Sequence, residues 1–152
     1  MLNNLDNQNI EPVIIVNDGS SKPYEHIFEE AERLIQKAGG KILVHEVNKG
    51  KGRALKTAFD YVLAHYPDAV GGVTADSDGQ HTPKNINEVI QVLIQNEDKL
   101  VLGVRKFDGA GIPWKSRFGN SVTEKVFKYV SGVHVTDTQT GLRGIPRQFM
   151  RE

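Results

Sequence analysis

Two aspartates one residue apart, followed by a glutamine, are the residues of this sequence best suited to hold a metal ion. Asp76, Asp78 and Gln80 stand in the stretch GGVTADSDGQH, directly after a short apolar segment. Such oxygen donors suit Mg²⁺ or Mn²⁺, which keep waters and commonly link one or two carboxylates to substrate phosphates. Gly79 permits a turn that aims both aspartates at one ion. The spacing predicts a cation site for phosphates, and a polar loop without a ligand is the alternative.

Better-known motifs share some of these residues but fail on spacing. A calcium-binding EF-hand loop starting at Asp76 would need Gly at its sixth and Glu at its twelfth position, where the chain has His81 and Asn87. The stretch GKGRALKT lacks the glycine spacing of a P-loop, and no G-x-G-x-x-G follows the first predicted strand. HEVNK begins like a zinc-protease helix at His45 but has no second histidine. The pattern that remains is D-x-D-x-Q.

The elements that must position these residues alternate between strand-like and helix-like segments. Short apolar runs predict four strands, PVIIVN, KILVHEV, AVGGVTA and KLVLGV. Apolar residues at three- and four-residue spacing predict helices over about 24–38, 52–66 and 83–94, and another over about 114–130. The last segment, VHVTDTQTGLRGIP, is too broken by Gly, Thr and Pro to be one regular element. This order predicts a single α/β domain over 1–152, with a mostly parallel sheet and helices on both faces.

Polar residues follow each predicted strand. Asp18 follows the first strand, Lys51 the second, Asp76 and Asp78 the third, and Arg105 the fourth. Because ligands of such sheets bind outside the carboxyl ends of the strands, these side chains predict an active site at one edge of the sheet.

The composition is that of a soluble globular protein. Of 152 residues 38% are hydrophobic and 25% charged, and 19 basic residues balance 19 acidic ones, so no net charge favours nucleic acid as a partner. The absence of cysteine excludes disulfides and thiolate chemistry. No apolar run approaches the roughly 20 residues that span a bilayer, and the start, MLNNLDNQN, is no signal peptide. We expect a cytoplasmic protein.

Six stretches, in a shared order from Val13 to Pro146, resemble the catalytic core of family-2 glycosyltransferases. They are IIVNDGSS, HEVNKGKGRALKTAF, VTADSDGQH, LVLGVRKF, SRFGN and DTQTGLRGIP. The resemblance is to the branch that loads sugars onto polyprenyl phosphates. It implies a Rossmann-like GT-A fold and inverting, metal-dependent transfer from a UDP- or GDP-sugar to undecaprenyl or dolichyl phosphate. It further implies Mg²⁺ or Mn²⁺ as cofactor, a place at the inner face of the cell membrane, and a membrane-domain partner.

The resemblance also implies roles on the donor side of the site. Asp18 would contact the nucleobase or ribose, and Lys51 would approach the nucleotide. Asp76 would face the ribose or the metal, while Asp78 and Gln80 would bind the metal on the diphosphate. Two plainer interpretations stay open: Asp18 as the N-cap of the following helix, and Lys51 as a solvated surface lysine.

On the acceptor side, the resemblance implies that Arg117 and Arg143 hold phosphates through bidentate hydrogen bonds. Asp137 and Gln139 would line the same side. Arg117 could equally be a surface residue of its helix, whereas glycines flank Arg143. The catalytic residues implied are Asp76, Asp78, Asp137 and Arg143.

The chain departs from the family pattern at both ends. The family begins with a strand reading roughly IIPAYN, whereas MLNNLDNQNIEP resembles only the end of the helix that follows it. The family also continues beyond RQFMRE. We therefore expect a truncated chain without the first strand of the family. Two alternatives stay open: a catalytically silent fragment that swaps strands as a folding or assembly domain, for example in a homodimer, and a sugar nucleotidyltransferase.

Overall fold

The computed structural model describes residues 12–37, 39–103 and 141–151, which alternate between strands and helices as predicted. In chain order the elements are β1 (Ile14–Asp18), a 3₁₀ helix (Lys22–Tyr24), α1 (Glu25–Gln36), β2 (Lys41–His45), α2 (Lys51–His65), β3 (Gly71–Thr74), α3 (Pro83–Gln95), β4 (Val101–Leu102), β5 (Arg143–Pro146) and a second 3₁₀ helix (Arg147–Arg151). All four predicted strands and the first three predicted helices are confirmed. The helix predicted over about 114–130 lies outside the described residues.

Local sequence explains why α3 begins and which side it buries. The hydroxyl of Thr82 accepts a hydrogen bond from the Asn85 backbone N–H at 3.2 Å, which caps the start of the helix. Pro83 occupies the first turn, where its missing N–H costs nothing. The apolar stripe then recurs at three- and four-residue spacing, and its buried members are Ile86, Val89 and Leu93.

The strands of the described part form two sheets. β1 pairs with β2 in parallel, in a register that places Asp18 opposite His45. β5 lies between β3 and β4 and runs antiparallel to both, with Arg143 opposite Thr74. The carboxyl ends of β1 and β2 therefore meet at one edge, as predicted, whereas the antiparallel pairing of β5 with β3 and β4 departs from the mostly parallel sheet that was expected.

No strand was predicted within VHVTDTQTGLRGIP, but its last four residues form β5. Glycine and proline are both rare inside strands. In β5, however, a side chain at Gly144 would crowd Val101 and Val89, at 3.1 and 3.2 Å from the added Cβ. Pro146 occupies the last position of the strand and is fully buried. Close packing in the tertiary structure thus explains why Gly144 and Pro146 occupy β5, although both residue types are disfavoured in strands.

The helices pack on the strands. α1 packs on β2, α2 on β1 and on the C-terminal 3₁₀ helix, and α3 on β3, β4 and β5. Arg147 also joins β5 to the end of α2, because its guanidinium donates to the carbonyls of Tyr66 and Leu63 at 2.8 and 3.1 Å. The core cluster comprises Ile86, Val89 and Leu142, with Val13, Val73, Ile90 and Val101 packed against it.

We expect Leu93→Ala to lower the free energy of unfolding by about 2–5 kcal/mol, the usual cost of emptying a core leucine site. Leu93 is buried, and its side chain lies against Gly71 and Gly144 in neighbouring strands. The matched control is Val92→Ala, because Val92 is the adjacent residue and is 45% exposed. Urea denaturation measures both variants. If both variants lost the same free energy of unfolding, the packing of α3 on this sheet would be contradicted.

Candidate functional site

The carboxylate of Asp18 joins the end of β1 to β2 and to the turn before α2. Its Oδ1 accepts a hydrogen bond from His45 Nδ1 at 2.6 Å and from the Lys49 backbone N–H at 2.9 Å, and its Oδ2 accepts from the Gly50 N–H at 2.8 Å. A carboxylate has about four acceptor positions, so little of its capacity is left for a ligand. Asp18 does not cap the following helix, because the N-cap of α1 is Tyr24. It binds the turn that precedes α2 instead.

These contacts shift the ionisation of Asp18. The hydrogen bond from His45 lowers the pKa of this carboxyl below its ordinary value, and the backbone amide of Lys49 acts in the same direction. Burial of the carboxyl opposes the shift but does not cancel it, and the amide of Gly50 adds to the lowering. Hydrogen bonds to the charged form therefore dominate, and Asp18 is an anion at neutral pH.

His45 is a site residue that the sequence analysis passed over. It is the last residue of β2 and is only 7% exposed. Besides the contact with Asp18, its Nε2 lies 2.9 Å from the hydroxyl of Thr57 in α2. The register of the two parallel strands makes Asp18 and His45 neighbours, and this register is seen only in the structure.

Glycines let the turns after β1 and β2 pack closely. Gly19 has a φ of 71°, and a Cβ at this position would overlap the backbone of Val47 and Asn48. Gly50 has a φ of 86°, a conformation that other residues rarely adopt. The Asn48 side chain accepts a second hydrogen bond from the Gly50 N–H at 3.0 Å. The start of α2 is thereby placed beside the end of β1.

Lys51 and Asp76, both predicted to serve the donor, are in direct contact. Lys51 is the first residue of α2, and its Nζ lies 2.6 Å from Oδ1 of Asp76, which follows β3. The side chains are 64% and 36% exposed, so solvent screens the pair and it adds little to stability. Asp76 also lies against Gly141, where any Cβ would overlap its carboxylate. Thr74 fixes that glycine by donating to its carbonyl at 3.1 Å.

Asp78 and Gln80 lie in the exposed turn after β3. The Asp78 Oδ1 accepts a hydrogen bond from the Gln80 backbone N–H at 3.0 Å, and Gly79 has a φ of 79°. The turn anticipated from Gly79 is therefore confirmed. Among the residues that the structure describes, no three acidic, histidine or cysteine side chains form a ready metal site. The donor chemistry fits Mg²⁺ or Mn²⁺ if substrate phosphates supply further oxygens.

Of the other predicted site residues, one lies in the described part of the chain and three lie outside it. Arg143 is the first residue of β5, opposite Thr74 and two residues from Gly141, so it shares this edge. Arg117, Asp137 and Gln139 lie outside the described residues. The ligand contacts of all these residues stay predictions. The role of Gly141 in seating Asp76 was missed, because nothing in the sequence indicates that contact.

Comparison with known proteins gives one family and two relatives. The profile of glycosyl transferase family 2 matches residues 1–151. An uncharacterized protein of Methanocaldococcus jannaschii is 29% identical over 145 residues, which cover 93% of this chain and 56% of the relative. A protein of Methanococcus voltae, named UDP-N-acetylglucosamine–dolichyl-phosphate N-acetylglucosaminyltransferase, is 32% identical over 164 residues, covering 99% of this chain and 64% of the relative.

The chain thus spans less than two thirds of the length of either relative. No solved structure gives a significant match. None of the helices in the described part of the chain is both long and apolar enough to cross a membrane. The family match confirms the resemblance and the α/β class of the GT-A fold.

We expect the stability lost in Asp18→Asn to depend on pH. The folded-state pKa of Asp18 is below its ordinary value of 3.8, so the carboxylate stabilises the fold above that pH. The advantage of the wild type should shrink as the pH falls from 3.8 through the lower folded-state value. Chemical denaturation across this range measures the difference, with Asp98→Asn in an exposed turn as the control. A difference independent of pH would contradict the hydrogen bonding of Asp18.

We expect Gly141→Ala to destabilise the protein by no more than about 1 kcal/mol, because the atoms that the new methyl group meets are the tip of the partly exposed Asp76 side chain, which can move aside. The new methyl group would displace the Asp76 carboxylate and thereby separate it from Lys51. Gly52→Ala is the control, because no atom lies within 4 Å of a Cβ there and alanine favours a helix. Thermal denaturation measures the stability of both variants, and a loss well above about 1 kcal/mol in Gly141→Ala would contradict an easy displacement of the Asp76 carboxylate.

Proposed function

Because the chain belongs to glycosyl transferase family 2, we propose that it transfers a sugar from a nucleotide-sugar to a polyprenyl phosphate. The observation that carries the proposal is the contact of Lys51 with Asp76, beside Asp78, at the carboxyl edge of the strands. This edge combines a cation for phosphate with carboxylates for a divalent metal. The named Methanococcus voltae relative supports UDP-N-acetylglucosamine and dolichyl phosphate as the first donor and acceptor to test.

The start of α2 is suited to the diphosphate of the donor. Lys51 is its first residue, no side chain caps the helix, and the first turn contains no acidic residue. Unsatisfied N–H groups and the helix dipole favour an anion at such an end. A Cβ at Gly52 would meet no atom within 4 Å, which leaves room for a phosphate. Asp18 retains about one acceptor position for an N–H or O–H of the nucleoside.

Asp76, Asp78 and Gln80 are the residues that would hold Mg²⁺ or Mn²⁺. Their oxygen donors match what both ions prefer, and the attraction of Asp76 for a cation is already visible in its contact with Lys51. A bound ion would neutralise the negative charge that builds up on the leaving nucleoside diphosphate. Lys51 would neutralise part of the same charge.

In the proposed reaction an oxygen of the acceptor phosphate bonds to the anomeric carbon. The bond from that carbon to the diphosphate oxygen breaks at the same time, so the configuration inverts. Because the second pKa of a phosphate monoester is about 6, the acceptor is largely ionised at neutral pH and a dedicated general base is unnecessary. Arg143, at the same edge, would hold a phosphate, and Arg117, Asp137 and Gln139 complete the proposed acceptor side.

A polyprenyl acceptor lies in a bilayer, so the proposal also places the chain at the inner face of the cell membrane with a membrane-domain partner. A homodimer is the competing arrangement if the chain serves as a silent assembly domain. Size-exclusion chromatography separates the two, because a dimer that is indifferent to nucleotide favours the assembly domain.

We expect Mn²⁺ together with UDP or GDP to raise the melting temperature. At a ligand concentration 100 times the dissociation constant, binding stabilises the native state by about 2.7 kcal/mol, which corresponds to a shift of about 8 °C in a domain of this size. Asp78→Asn should abolish the shift, since it removes a charge from the metal site. Asp98→Asn, in an exposed turn away from the motif, should keep it. Absence of a shift with any nucleoside diphosphate would overturn the proposal.

A further inference from the structure

We propose that His45 is a positioning residue for nucleotide binding. Through Asp18 it holds the turn over 48–50, and this turn places Lys51 at the phosphate end of the site. The inference rests on the proposed function, in which Lys51 meets the diphosphate. His45 itself contacts no ligand in this account.

The hydrogen bonds of His45 fix the orientation of its ring. An ionised carboxylate can only accept, so Nδ1 carries the proton that is donated to Asp18. In the neutral ring Nε2 then accepts from the hydroxyl of Thr57, at 2.9 Å. Both ring nitrogens are therefore engaged, one with β1 and one with α2, and a rotation of the ring would break one of the bonds.

Asp18, held by His45, in turn binds the backbone amides of the turn over 48–50. Its Oδ1 is shared between His45 and the Lys49 N–H, while its Oδ2 takes the Gly50 N–H. The contact with His45, at 2.6 Å, is the shortest of the three. Without it the carboxylate can rotate, and both turn amides then lose their alignment with it.

The start of α2 depends on that turn. Gly50 is the N-cap residue, has a left-handed backbone and receives no side-chain cap of the usual kind. Its N–H is satisfied by Asp18 and Asn48, and the next residue is Lys51. Thr57, further along α2, is bonded to the same imidazole. One His–Asp pair thus attaches the helix at two points and sets its alignment with β1 and β2.

A matched pair of substitutions separates this role from simple space filling. In His45→Asn the side-chain amide reaches the position of Nδ1 and can still donate to Asp18, but the contact with Thr57 is lost. In His45→Gln the amide reaches the position of Nε2, so it keeps Thr57 and loses Asp18. His26→Asn and His26→Gln, at an exposed position of α1, are the controls.

Two readouts are measured on each folded variant. The first is backbone amide exchange of Lys49 and Gly50, by NMR on the ligand-free protein. The second is the affinity for UDP with Mn²⁺, by isothermal titration. His45→Gln should speed the exchange of both amides and weaken UDP binding about ten-fold, the effect of one charge-assisted hydrogen bond. His45→Asn should keep the amides protected and stay within about three-fold of the wild type.

The proposal is overturned if both variants keep wild-type exchange and affinity, or if both lose them equally. If the wild type binds no nucleoside diphosphate, the proposed function fails. The exchange rates of Lys49 and Gly50 then still decide whether His45 positions the turn.

Discussion

The arrangement of this site depends on the hydrogen bonds that the Asp18 carboxylate accepts. One side chain accepts hydrogen bonds from a histidine of the neighbouring strand and from two backbone amides of the next turn. A carboxylate of low exposure needs such donors, because removing it from water without them would favour its neutral form. The donors come from β2 and from the turn before α2, so their hydrogen bonds to Asp18 hold β1, β2 and the start of α2 together. The arrangement of this edge therefore depends on how one partly buried charge is hydrogen-bonded.

The site has a constrained half and an adjustable half. Around Asp18 the contacts are short, His45 is buried, and the turn at Gly19 packs against the backbone of Val47 and Asn48. Around Asp76 the charges are more exposed, and Lys51 is 64% exposed. A screened ion pair exchanges its partners at little cost. This division suits a ligand with a rigid nucleoside and a charged, metal-bound diphosphate, because only the second part requires side chains to move.

Much of this fold could be predicted from the sequence, and the reason for each success or failure is physical. The apolar stripe of α3 and Pro83 at its start are local signals, so that helix was predicted with its first residue. β5 was missed because Gly144 and Pro146 oppose a strand locally and are selected by packing between two other strands. Asp18 and Asp76 were predicted as site residues from their positions after strands. The roles of His45 and Gly141 come from register and close approach, which no spacing along the chain encodes.

We propose that the carboxyl ends of β1, β2 and β3, which the contact of Lys51 with Asp76 brings together, bind a nucleoside diphosphate. A crystal structure of the chain with UDP and Mn²⁺, using the anomalous signal of manganese, tests it most directly. We expect manganese at the turn of Asp78 and the diphosphate between that ion and Lys51 at the start of α2. Manganese bound elsewhere, or a diphosphate seated in the cleft beside Arg147 and Arg151 on another part of the surface, would contradict it.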